Sequence, residues 1–397
     1  MTTYLDCPDR ANCSGCGACV QICPRQCISM SEAPDGFMYP QIDQARCIEC
    51  GRCRQVCPYA SQPEQFSCKA GYAAQAHSQP IKTGSSSGGC FAALAQAILS
   101  KHGVVFGAAW TADHGCMHQK AETAEELQPL MGSKYVQSRC DVVYPEVRRA
   151  LQDGRPVLFA GTPCQIAGVK GYLGKAYDHL LCLDIACHGV PSGADFRRCL
   201  EHLEKKHAGK LTYFRFRDKQ HAGWNHSFTY RIARNGREKT YTVAPYRVPY
   251  YYLFLHARNH RKSCYTCPYV GMERVGDITL ADFWRAEQHM QESEIGQGVS
   301  AVFCNTEKGL AWWQECQQFL QTRAFEPAVL AVDNQPFLQH SKEPAHRDEM
   351  LTDILTHGYD VAKRYISRKE YGIAALKAAI PEDIKRTIRR IRKGGIR

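Results

Sequence analysis

Eight cysteines near the start of the chain have the spacing needed to bind iron–sulfur clusters. Residues 13–24 and residues 47–58 both follow the pattern C-x2-C-x2-C-x3-C-P. The close spacing of the first three cysteines lets one loop ligate three irons of a [4Fe–4S] cluster, and the fourth cysteine ligates the other cluster. The pattern therefore predicts two ligand sets: Cys13, Cys16, Cys19 and Cys57 for cluster one, and Cys47, Cys50, Cys53 and Cys23 for cluster two.

Zinc binding or disulfide formation is the alternative for cysteines at this density. Zinc sites use isolated ligand pairs, whereas this chain places four cysteines within eleven residues and then repeats the arrangement. The repeat favours two clusters, and it resembles the bacterial two-cluster ferredoxins over residues 12–58. Cys7, Cys27 and Cys68 fit neither run and are predicted to be spare thiols.

A loop rich in glycine and serine at residues 82–90 precedes a helix that is predicted to run through Leu99. Free backbone N–H groups and the positive end of the helix dipole at such a position suit a phosphate group. An ordinary flexible loop that ends in a helix cap is the alternative. The loop by itself leaves both interpretations open.

Four cysteines further along the chain lie at predicted strand ends or in a tight turn. Cys164 opens a predicted helix, a position that lowers the pKa of a thiol. Cys187 follows a predicted strand, and Cys264 and Cys267 form a C-x2-C-P turn. These cysteines are candidates for metal ligands or redox thiols. One alternative is that these cysteines are buried and pack as small hydrophobic side chains. Another is that Cys264 and Cys267 form a redox pair.

Strand and helix signals are mixed throughout the remaining sequence. An Asn235-Gly236 pair between two strand-like runs indicates a hairpin, and residues 308–320 predict a helix. The mixture predicts an α+β (mixed α/β) fold. The predicted strands are 103–110, 156–160, 180–186, 228–234, 238–243 and 298–305.

The composition is that of a globular protein with metal-bound thiolates. Of its 397 residues, 44% are hydrophobic and 22% are charged, which are ordinary globular values. The chain has 22 cysteines and no export signal in residues 1–23, which predicts a cytoplasmic protein with reduced thiols. It also has no long apolar run, so no transmembrane helix is predicted. The formal net charge of +11 counts cysteines as neutral, and three clusters would remove roughly 6 charges. A nucleic-acid partner is therefore not predicted.

Short motifs spread over residues 71–337 resemble the coenzyme F420 hydrogenase/dehydrogenase β-subunit family. This family includes the flavin-binding β subunit of archaeal hydrogenases and the plant 7-hydroxymethyl chlorophyll a reductase. The order of the motifs along the chain makes a chance match difficult. They are Ser86-Ser-Gly-Gly89, Gly132-Ser-Lys-Tyr135-Val-Gln-Ser138, Gly161-Thr-Pro-Cys-Gln165, Cys187-His-Gly189, Pro191-Ser192, Cys264-x2-Cys267, Gly276-Asp277 and Asp282-Phe-Trp284.

The resemblance implies an FAD in this part of the chain, fed by iron–sulfur clusters. It implies a third [4Fe–4S] cluster on Cys164, Cys187, Cys264 and Cys267. Lys134 would stabilise the reduced anionic flavin, and His188 would exchange a proton with the flavin or the substrate. The alternatives are that Lys134 is a solvated surface residue and that His188 only makes a local hydrogen bond. The implied FAD contacts are Ser86, Ser87, Gly88, Gly89, Ser133, Lys134, Tyr135 and Thr162.

Two basic segments can each be interpreted either as a binding site or as an ordinary structural feature. Residues 214–219 mix arginine, lysine and phenylalanine, a pattern that would hold an anionic substrate or protect an exposed strand edge by charge. Residues 385–393 would contact an anionic membrane face or form a solvated helical tail.

The predicted domains are a ferredoxin-type domain (1–66), two parts of a flavin-binding region (67–175 and 176–340) and a basic helical tail (341–397). The predicted function is an FAD-dependent iron–sulfur oxidoreductase that passes single electrons from clusters to FAD and a hydride to or from an organic substrate, such as a deazaflavin. A low-potential ferredoxin or a partner subunit would be its electron partner. The alternatives are an electron carrier or electron-transfer subunit without its own substrate, and an iron–sulfur redox sensor.

Cys16→Ser and Cys50→Ser test the two N-terminal ligand sets, because each removes one thiolate from one predicted cluster. Each variant should lose about four irons and leave the other cluster at least partly assembled. Iron and sulfide analysis of anaerobically prepared protein, with EPR after reduction, measures the loss. Cys7→Ser is the matched control and should keep all its iron. Wild-type protein that holds only zinc would contradict the cluster assignment.

Overall fold

The computed structural model describes residues 3–366 and 368–380. Its N-terminal part, residues 3–66, is called the ferredoxin-type module here. The helices of this module are single turns, and its two strands form one antiparallel hairpin. In chain order the elements are α1 (Ala18–Ile22), β1 (Ile28–Glu32), β2 (Met38–Ile42), α2 (Arg52–Gln55) and α3 (Pro58–Ser61).

Both cysteine runs pass from a loop into a short helix through a left-handed glycine. Gly17 precedes α1 with φ at 69°, and Gly51 precedes α2 with φ at 72°. A residue with a Cβ is strained in this region of backbone conformation. Glycine therefore lets the chain turn sharply and keeps each cysteine loop tight.

The chain from residue 67 onward, called the body here, contains the remaining described elements. Strands and helices alternate along it, which confirms the predicted α+β (mixed α/β) class. In chain order they are β3 (Ala70–Ala76), α4 (Gln79–Gly84), α5 (Cys90–Leu99), β4 (Val104–Trp110), β5 (Cys116–Ala121), α6 (Ala124–Leu127), α7 (Tyr144–Gln152), β6 (Val157–Gly161), α8 (Pro163–Leu173), β7 (Leu180–Ile185), α9 (Gly193–His207), β8 (Lys210–Phe216), α10 (Lys219–Ala222), β9 (Phe228–Arg234), β10 (Arg237–Val243), α11 (Pro249–Leu255), β11 (Ile278–Asp282), α12 (Glu292–Ile295), β12 (Ser300–Cys304), α13 (Glu307–Cys316), β13 (Leu320–Phe325), α14 (Pro327–Ala331), α15 (Arg347–His357) and α16 (Arg368–Ala379).

An eight-stranded mixed sheet forms the centre of the body, in the order β13-β3-β12-β11-β7-β6-β4-β5. Strands β4, β6, β7 and β11 are parallel neighbours, and the pairs on either side of them are antiparallel. The strands β7 and β12 are almost entirely buried, as their mostly apolar sequences require. This one sheet continues across residue 175, so the two predicted parts of the flavin-binding region share it.

A smaller antiparallel sheet, in the order β10-β9-β8, packs beside the large one. Asn235 and Gly236 both have positive φ, 50° and 71°, and they join β9 to β10 as the sequence predicts. Strand β8 lies at the edge of this sheet and contains the first half of the basic run, residues 214–216 of 214–219.

The six predicted strands are confirmed to within two residues at each end. The helix predicted at 308–320 ends earlier, at Cys316, and this boundary was wrong. A 3-10 turn follows at Gln317–Phe319, and β13 then pairs with β3. Pairing with a distant strand therefore overrides the local helix signal near Leu320.

Two buried carboxylates join β7 to β11. Asp184 accepts hydrogen bonds from Arg274 Nη2 at 3.1 Å and from the backbone N–H of Gly276 at 3.0 Å. Asp277 accepts one from the backbone N–H of Cys182 at 2.8 Å. A Cβ on Gly276 would lie 2.9 Å from the backbone nitrogen of Asp184. The Gly276-Asp277 motif thus holds two parallel strands together.

Helix α8 packs directly against the ferredoxin-type module. A Cβ on Gly168 would lie 2.6 Å from the Cβ of Cys16, and one on Gly171 would lie 2.4 Å from the carbonyl oxygen of Val56. The hydroxyl of Tyr144 donates to the carbonyl oxygen of Cys16 at 2.9 Å. Glycine at these two helix positions therefore brings the module into contact with the helix backbone.

No helix within residues 3–366 and 368–380 is long and apolar enough to cross a membrane. The predicted tail begins with α15 and α16. Its basic segment, residues 385–393, lies outside the described residues.

Gly171→Ala tests the contact between α8 and the ferredoxin-type module. The new methyl group would meet the Val56 carbonyl oxygen, and overpacking of this kind costs about 1–3 kcal/mol. We expect a lower apparent melting temperature in anaerobic thermal unfolding. Gly193→Ala is the matched control, because the atom nearest to its Cβ is the end of the Arg197 side chain at 3.6 Å. Equal melting temperatures for the two variants would contradict the prediction.

Candidate functional site

The four cysteines predicted to bind cluster one lie around one small cavity in the ferredoxin-type module. Apolar side chains, including Tyr4 and Met30, complete its wall. Burial raises the pKa of the Cys16 and Cys19 thiols above the ordinary value. Four convergent thiols in an enclosed apolar site fit a [4Fe–4S] cluster. The cysteines are Cys13, Cys16, Cys19 and Cys57, and Cys53 also lines the wall.

The cluster-two set lies nearer to the surface. Cys50 is exposed, and the neighbouring Ile48 side chain is 59% exposed. Burial acts to raise the pKa of Cys23, but hydrogen bonds from the backbone and thiol of Cys27 outweigh it and lower this pKa. Cys27, predicted to be a spare thiol, is buried with its Sγ 3.4 Å from Cys23 Sγ. Its position beside a predicted ligand was not apparent from the spacing.

Within the described part of the chain, no three His, Cys, Asp or Glu side chains converge as the ligands of a single metal ion would. Cluster thiolates each bind a different iron, so they need not converge on one point.

The four cysteines of the predicted third cluster come together from three segments of the body. Cys164 lies in the first turn of α8, Cys187 follows β7, and Cys264 and Cys267 lie at a 3-10 turn (Lys262–Thr266) and its end. Burial, and then the charges of Cys164 and Cys264, raise the pKa of Cys267 to about 12. Burial, and then the charge of Cys164, also raise the pKa of Cys187 to about 12. The four thiols therefore lie within electrostatic reach of one another.

The predicted low pKa of Cys164 was wrong. Burial raises the pKa of this thiol, although a hydrogen bond with Thr162 Oγ1 at 3.2 Å acts in the opposite direction. The helix N-terminus favours the thiolate, but loss of hydration on burial opposes it more strongly here. A metal ion, which deprotonates a coordinating thiol, suits this position.

A cavity of about 620 Å³ opens beside the third cysteine set, at the carboxyl ends of the parallel strands. Cys164 and Cys187 belong to its wall. Its size is within the usual range for a small-molecule or cofactor site, about 300–1,000 Å³. Of the predicted FAD contacts and catalytic candidates, those in the wall are Ser86, Ser87, Gly89, Ser133, Lys134, Tyr135, Thr162 and His188.

The glycine–serine loop is held in place by contacts with two other segments. Ser133 donates to Ser86 Oγ through its backbone N–H at 2.7 Å and its hydroxyl at 2.8 Å. Lys219 Nζ donates to the carbonyl oxygen of Ser87 at 2.6 Å. Gly89 follows with φ at 96°, and α5 begins at the next residue. The loop is therefore a fixed wall of the cavity.

Gly88 has a structural requirement of its own. Its backbone N–H donates to Ser300 Oγ at 2.9 Å, and a Cβ would lie 2.1 Å from the carbonyl oxygen of Ala74. The missing side chain thus allows contact with β3 and β12. Gly88 is absent from the lining of the cavity, so its predicted contact with FAD stays a prediction.

Lys134 and His188 both make hydrogen bonds with backbone carbonyl groups. Lys134 Nζ donates to Pro129 O at 2.8 Å and Met131 O at 2.7 Å, and burial lowers the pKa of the amine to about 7. His188 Nε2 lies 3.3 Å from Phe254 O, and burial lowers the pKa of the ring. The structure thus gives both groups local partners while leaving them in the cavity wall.

Another wall of the cavity contains a buried ion pair and aromatic rings. Arg217 binds Asp282 through two hydrogen bonds of 2.5 and 2.7 Å. Trp224 Nε1 also donates to Asp282, at 3.1 Å, and the Trp224 and Trp284 rings stack 5.6 Å apart. His226 lies 5.1 Å from the Trp284 ring, and its Nδ1 has no hydrogen-bond partner among the described residues.

Sequence reasoning missed His226, although its place shortly after the basic run at residues 214–219 was a usable signal. The cations of that run make internal contacts: Arg215 donates to Gly84 O at 2.5 Å, Arg217 to Asp282, and Lys219 to Ser87 O. Their predicted role in holding an anionic substrate stays a prediction.

Two family models match the chain. Residues 12–61 match the 4Fe-4S dicluster domain, and residues 154–328 match the model for the C terminus of the coenzyme F420 hydrogenase/dehydrogenase beta subunit. No curated protein matches the chain. A chain in a structure of the F420-reducing [NiFe] hydrogenase complex from Methanosarcina barkeri is similar at 16% identity, covering 76% of this chain and 92% of that chain with a TM-score of 0.44. The family models together support the predicted resemblance: a 4Fe-4S dicluster domain, which binds two iron–sulfur clusters, precedes a body that is similar, over residues 154–328, to the coenzyme F420 hydrogenase/dehydrogenase β-subunit family.

Proposed function

We propose that this protein is an iron–sulfur flavoprotein that carries electrons between its N-terminal clusters and an FAD in the body, where hydride is exchanged with an organic substrate. Iron–sulfur clusters supply one-electron transfers, and a flavin converts them into two-electron chemistry. One observation carries the proposal. The cluster-one cysteines lie next to the third cysteine set, and the third cysteine set lies next to the 620 Å³ cavity.

The first step of this succession is the contact between the module and α8. Gly168 lies against Cys16, and Cys164 lies four residues before Gly168 on the same helix face. A Cβ on Gly168 would be only 3.0 Å from Cys16 Sγ. The thiols proposed for cluster one and for the third cluster are therefore neighbours across one helix turn.

The second step is the contact between the third cysteine set and the cavity. Cys164 and Cys187 belong to the set and also line the cavity. We propose that these thiolates, with Cys264 and Cys267, hold a third [4Fe–4S] cluster next to the flavin. The exposed Cys50 and Ile48 at the other end of the succession suit contact with an external electron partner, such as a ferredoxin or a partner subunit.

The cavity wall supports FAD as the occupant. The Ser86 and Thr162 hydroxyl groups can donate to the pyrophosphate, close to the glycine-preceded start of α5, while the hydroxyl groups of Ser133 and Ser87 donate to Ser86 Oγ and Val299 O. Lys134 would place a cation near the flavin, and Tyr135 would offer an aromatic surface. In this proposal Gly88 acts indirectly, by fixing the loop against the sheet.

The wall formed by Arg217, Asp282, Trp284 and His226 is our candidate for the substrate side. The ion pair fixes the position of its charges, and the Trp284 ring offers a flat apolar surface. The unpartnered Nδ1 of His226 is available for a hydrogen bond to a ligand. His188, in the same cavity, is the second candidate for proton exchange.

An electron-transfer subunit without its own substrate is the alternative function. The exposed cluster-two loop favours it, because electrons could pass through this face to a partner in either direction. The two functions differ in their need for a flavin with access to substrate, so a measurement of bound flavin separates them.

Cys164→Ala and Cys267→Ala test the third cluster. Wild-type protein should contain about twelve irons, and each variant should lose about four because one ligand of the proposed cluster is gone. Cys199→Ala, a buried cysteine of α9 outside the set, is the matched control and should keep its iron. Unchanged iron in both test variants would return these cysteines to a packing role.

Gly107→Leu tests the flavin site. Gly107 lines the cavity, and its Cβ would make ordinary contacts of 3.5–3.7 Å with Phe91 and Leu130, so a larger side chain should fill the space. We expect about one FAD per wild-type chain, released and quantified by chromatography, and a loss of at least tenfold in the variant with iron content unchanged. Gly193→Leu, at an open position, should keep its flavin. Reconstituted wild-type protein without FAD or FMN would favour the electron-carrier alternative.

A further inference from the structure

Arg261 is a buried cation with an unusual set of partners. Only 1% of the residue is exposed. Its Nε donates to Cys13 O at 2.7 Å, and its Nη2 donates to Met38 O at 3.0 Å. Its Nη1 donates to Gln137 Oε1 at 3.1 Å, and its Nη2 also reaches Cys13 Sγ at 3.5 Å. A cluster-one ligand is therefore bonded to this guanidinium through both its backbone and its sulfur.

The other buried arginines of the described chain all have a carboxylate partner. Arg217 pairs with Asp282, Arg274 pairs with Asp184, and Arg347 pairs with Asp35 and Asp348. Within residues 3–366 and 368–380, no carboxylate lies within ion-pair distance of Arg261. Burial of an uncompensated charge is strongly unfavourable. The positive charge of Arg261 therefore requires a negative partner other than a carboxylate.

The cluster-one thiolates can supply that negative charge. A [4Fe–4S] cluster with four thiolates would be an anion of about −2, and the predicted ligand atom Cys13 Sγ lies 3.5 Å from Arg261 Nη2. We propose that Arg261 is the counter-cation of cluster one, which it holds at a less negative reduction potential by charge and by its hydrogen bonds to Cys13. The proposal rests on the ligand set proposed for cluster one and does not depend on FAD.

The surroundings of Arg261 fix its charge in place. The guanidinium carbon lies 4.2 Å from the centre of the Tyr39 ring and 5.3 Å from that of Phe37. Stacking on aromatic faces and several hydrogen bonds leave the side chain one orientation. A charge held in this way in a dry site acts more strongly than a mobile charge at the surface.

Arg261 also belongs to the turn that carries the third cysteine set. Its backbone N–H donates to Val190 O, and its carbonyl oxygen accepts from the backbone N–H of Cys264, both at 2.9 Å. One residue thus contacts Cys13 with its side chain and positions Cys264 with its backbone. The positive charge is close to one cysteine of each proposed ligand set, so it would favour an added electron on this part of the path.

The sign of the effect follows from the charge change on reduction. Reduction adds one electron and makes the cluster more negative, so a nearby cation stabilises the reduced form. Loss of the cation should therefore make the potential more negative. Arg261→Gln removes the charge but keeps a hydrogen-bond donor. Arg261→Lys keeps the charge but loses the planar guanidinium group and its several donors.

The test is an anaerobic redox titration of the full-length protein, followed by EPR, with iron content measured in parallel. The cluster-one signal is the one that Cys13→Ser removes. At a fixed potential, Arg261→Gln should lower the ratio of reduced to oxidised cluster one about tenfold, which is about 59 mV for a one-electron couple. Arg261→Lys should restore most of this ratio. Arg10→Gln is the matched control, since Arg10 also stacks on Tyr39 but is one-third exposed and paired with Asp35.

Several outcomes would overturn the proposal. One is a wild-type ratio in Arg261→Gln, and another is an equal shift in Arg10→Gln. If Arg261→Gln fails to assemble cluster one, assembly in Arg261→Lys would support the charge requirement, and failure in both would reduce Arg261 to a packing residue. Unchanged iron and EPR in Cys13→Ser would instead refute the ligand set, a result distinct from the others.

Discussion

The direct contact of helix α8 with the ferredoxin-type module is the constraint on which the arrangement of the thiols depends. The helix begins where β6 ends, so its first turn places Cys164 at the carboxyl edge of the sheet. One turn later, Gly168 lies against Cys16. Interiors are close-packed, and a single added methyl group at this contact would force the two parts away from each other. Backbone-to-module packing thus keeps the N-terminal cysteines next to those of the body.

Buried ion pairs give the body its fixed walls. The pair of Asp184 with Arg274 ties β7 to the segment that leads into β11, and the pair of Arg217 with Asp282 forms part of the cavity. Breaking either pair by removing one member would leave an uncompensated buried charge, which is strongly destabilising. The cavity is therefore held open by interactions that exist without a ligand. This is the pre-organisation that a cofactor site requires.

The motifs of this chain that resemble the family make different kinds of contact in the structure. The Gly276-Asp277 motif closes the gap between two parallel strands, and Gly88 allows a loop to lie against β3 and β12. Ser86 and Ser133, by contrast, bond to each other in the cavity wall. The first two positions need glycine because of neighbouring protein backbone. A ligand therefore is not required to explain every residue of these motifs.

Local spacing was enough to predict some parts of the molecule. The Asn235-Gly236 hairpin and the start of α5 depend on turn geometry and helix capping within a few residues, and both are found where expected. The two cysteine runs depend on ligand reach, and the segment that contains them matches the 4Fe-4S dicluster domain. The resemblance to a family suggested the third cysteine set, but spacing could not, since its members come from three distant segments. The order of the sheet, the high pKa of Cys164, the position of Cys27 and the burial of Arg261 also escaped prediction. Each of these depends on which distant segments pack together and how much water they exclude. A local pattern of residues determines neither.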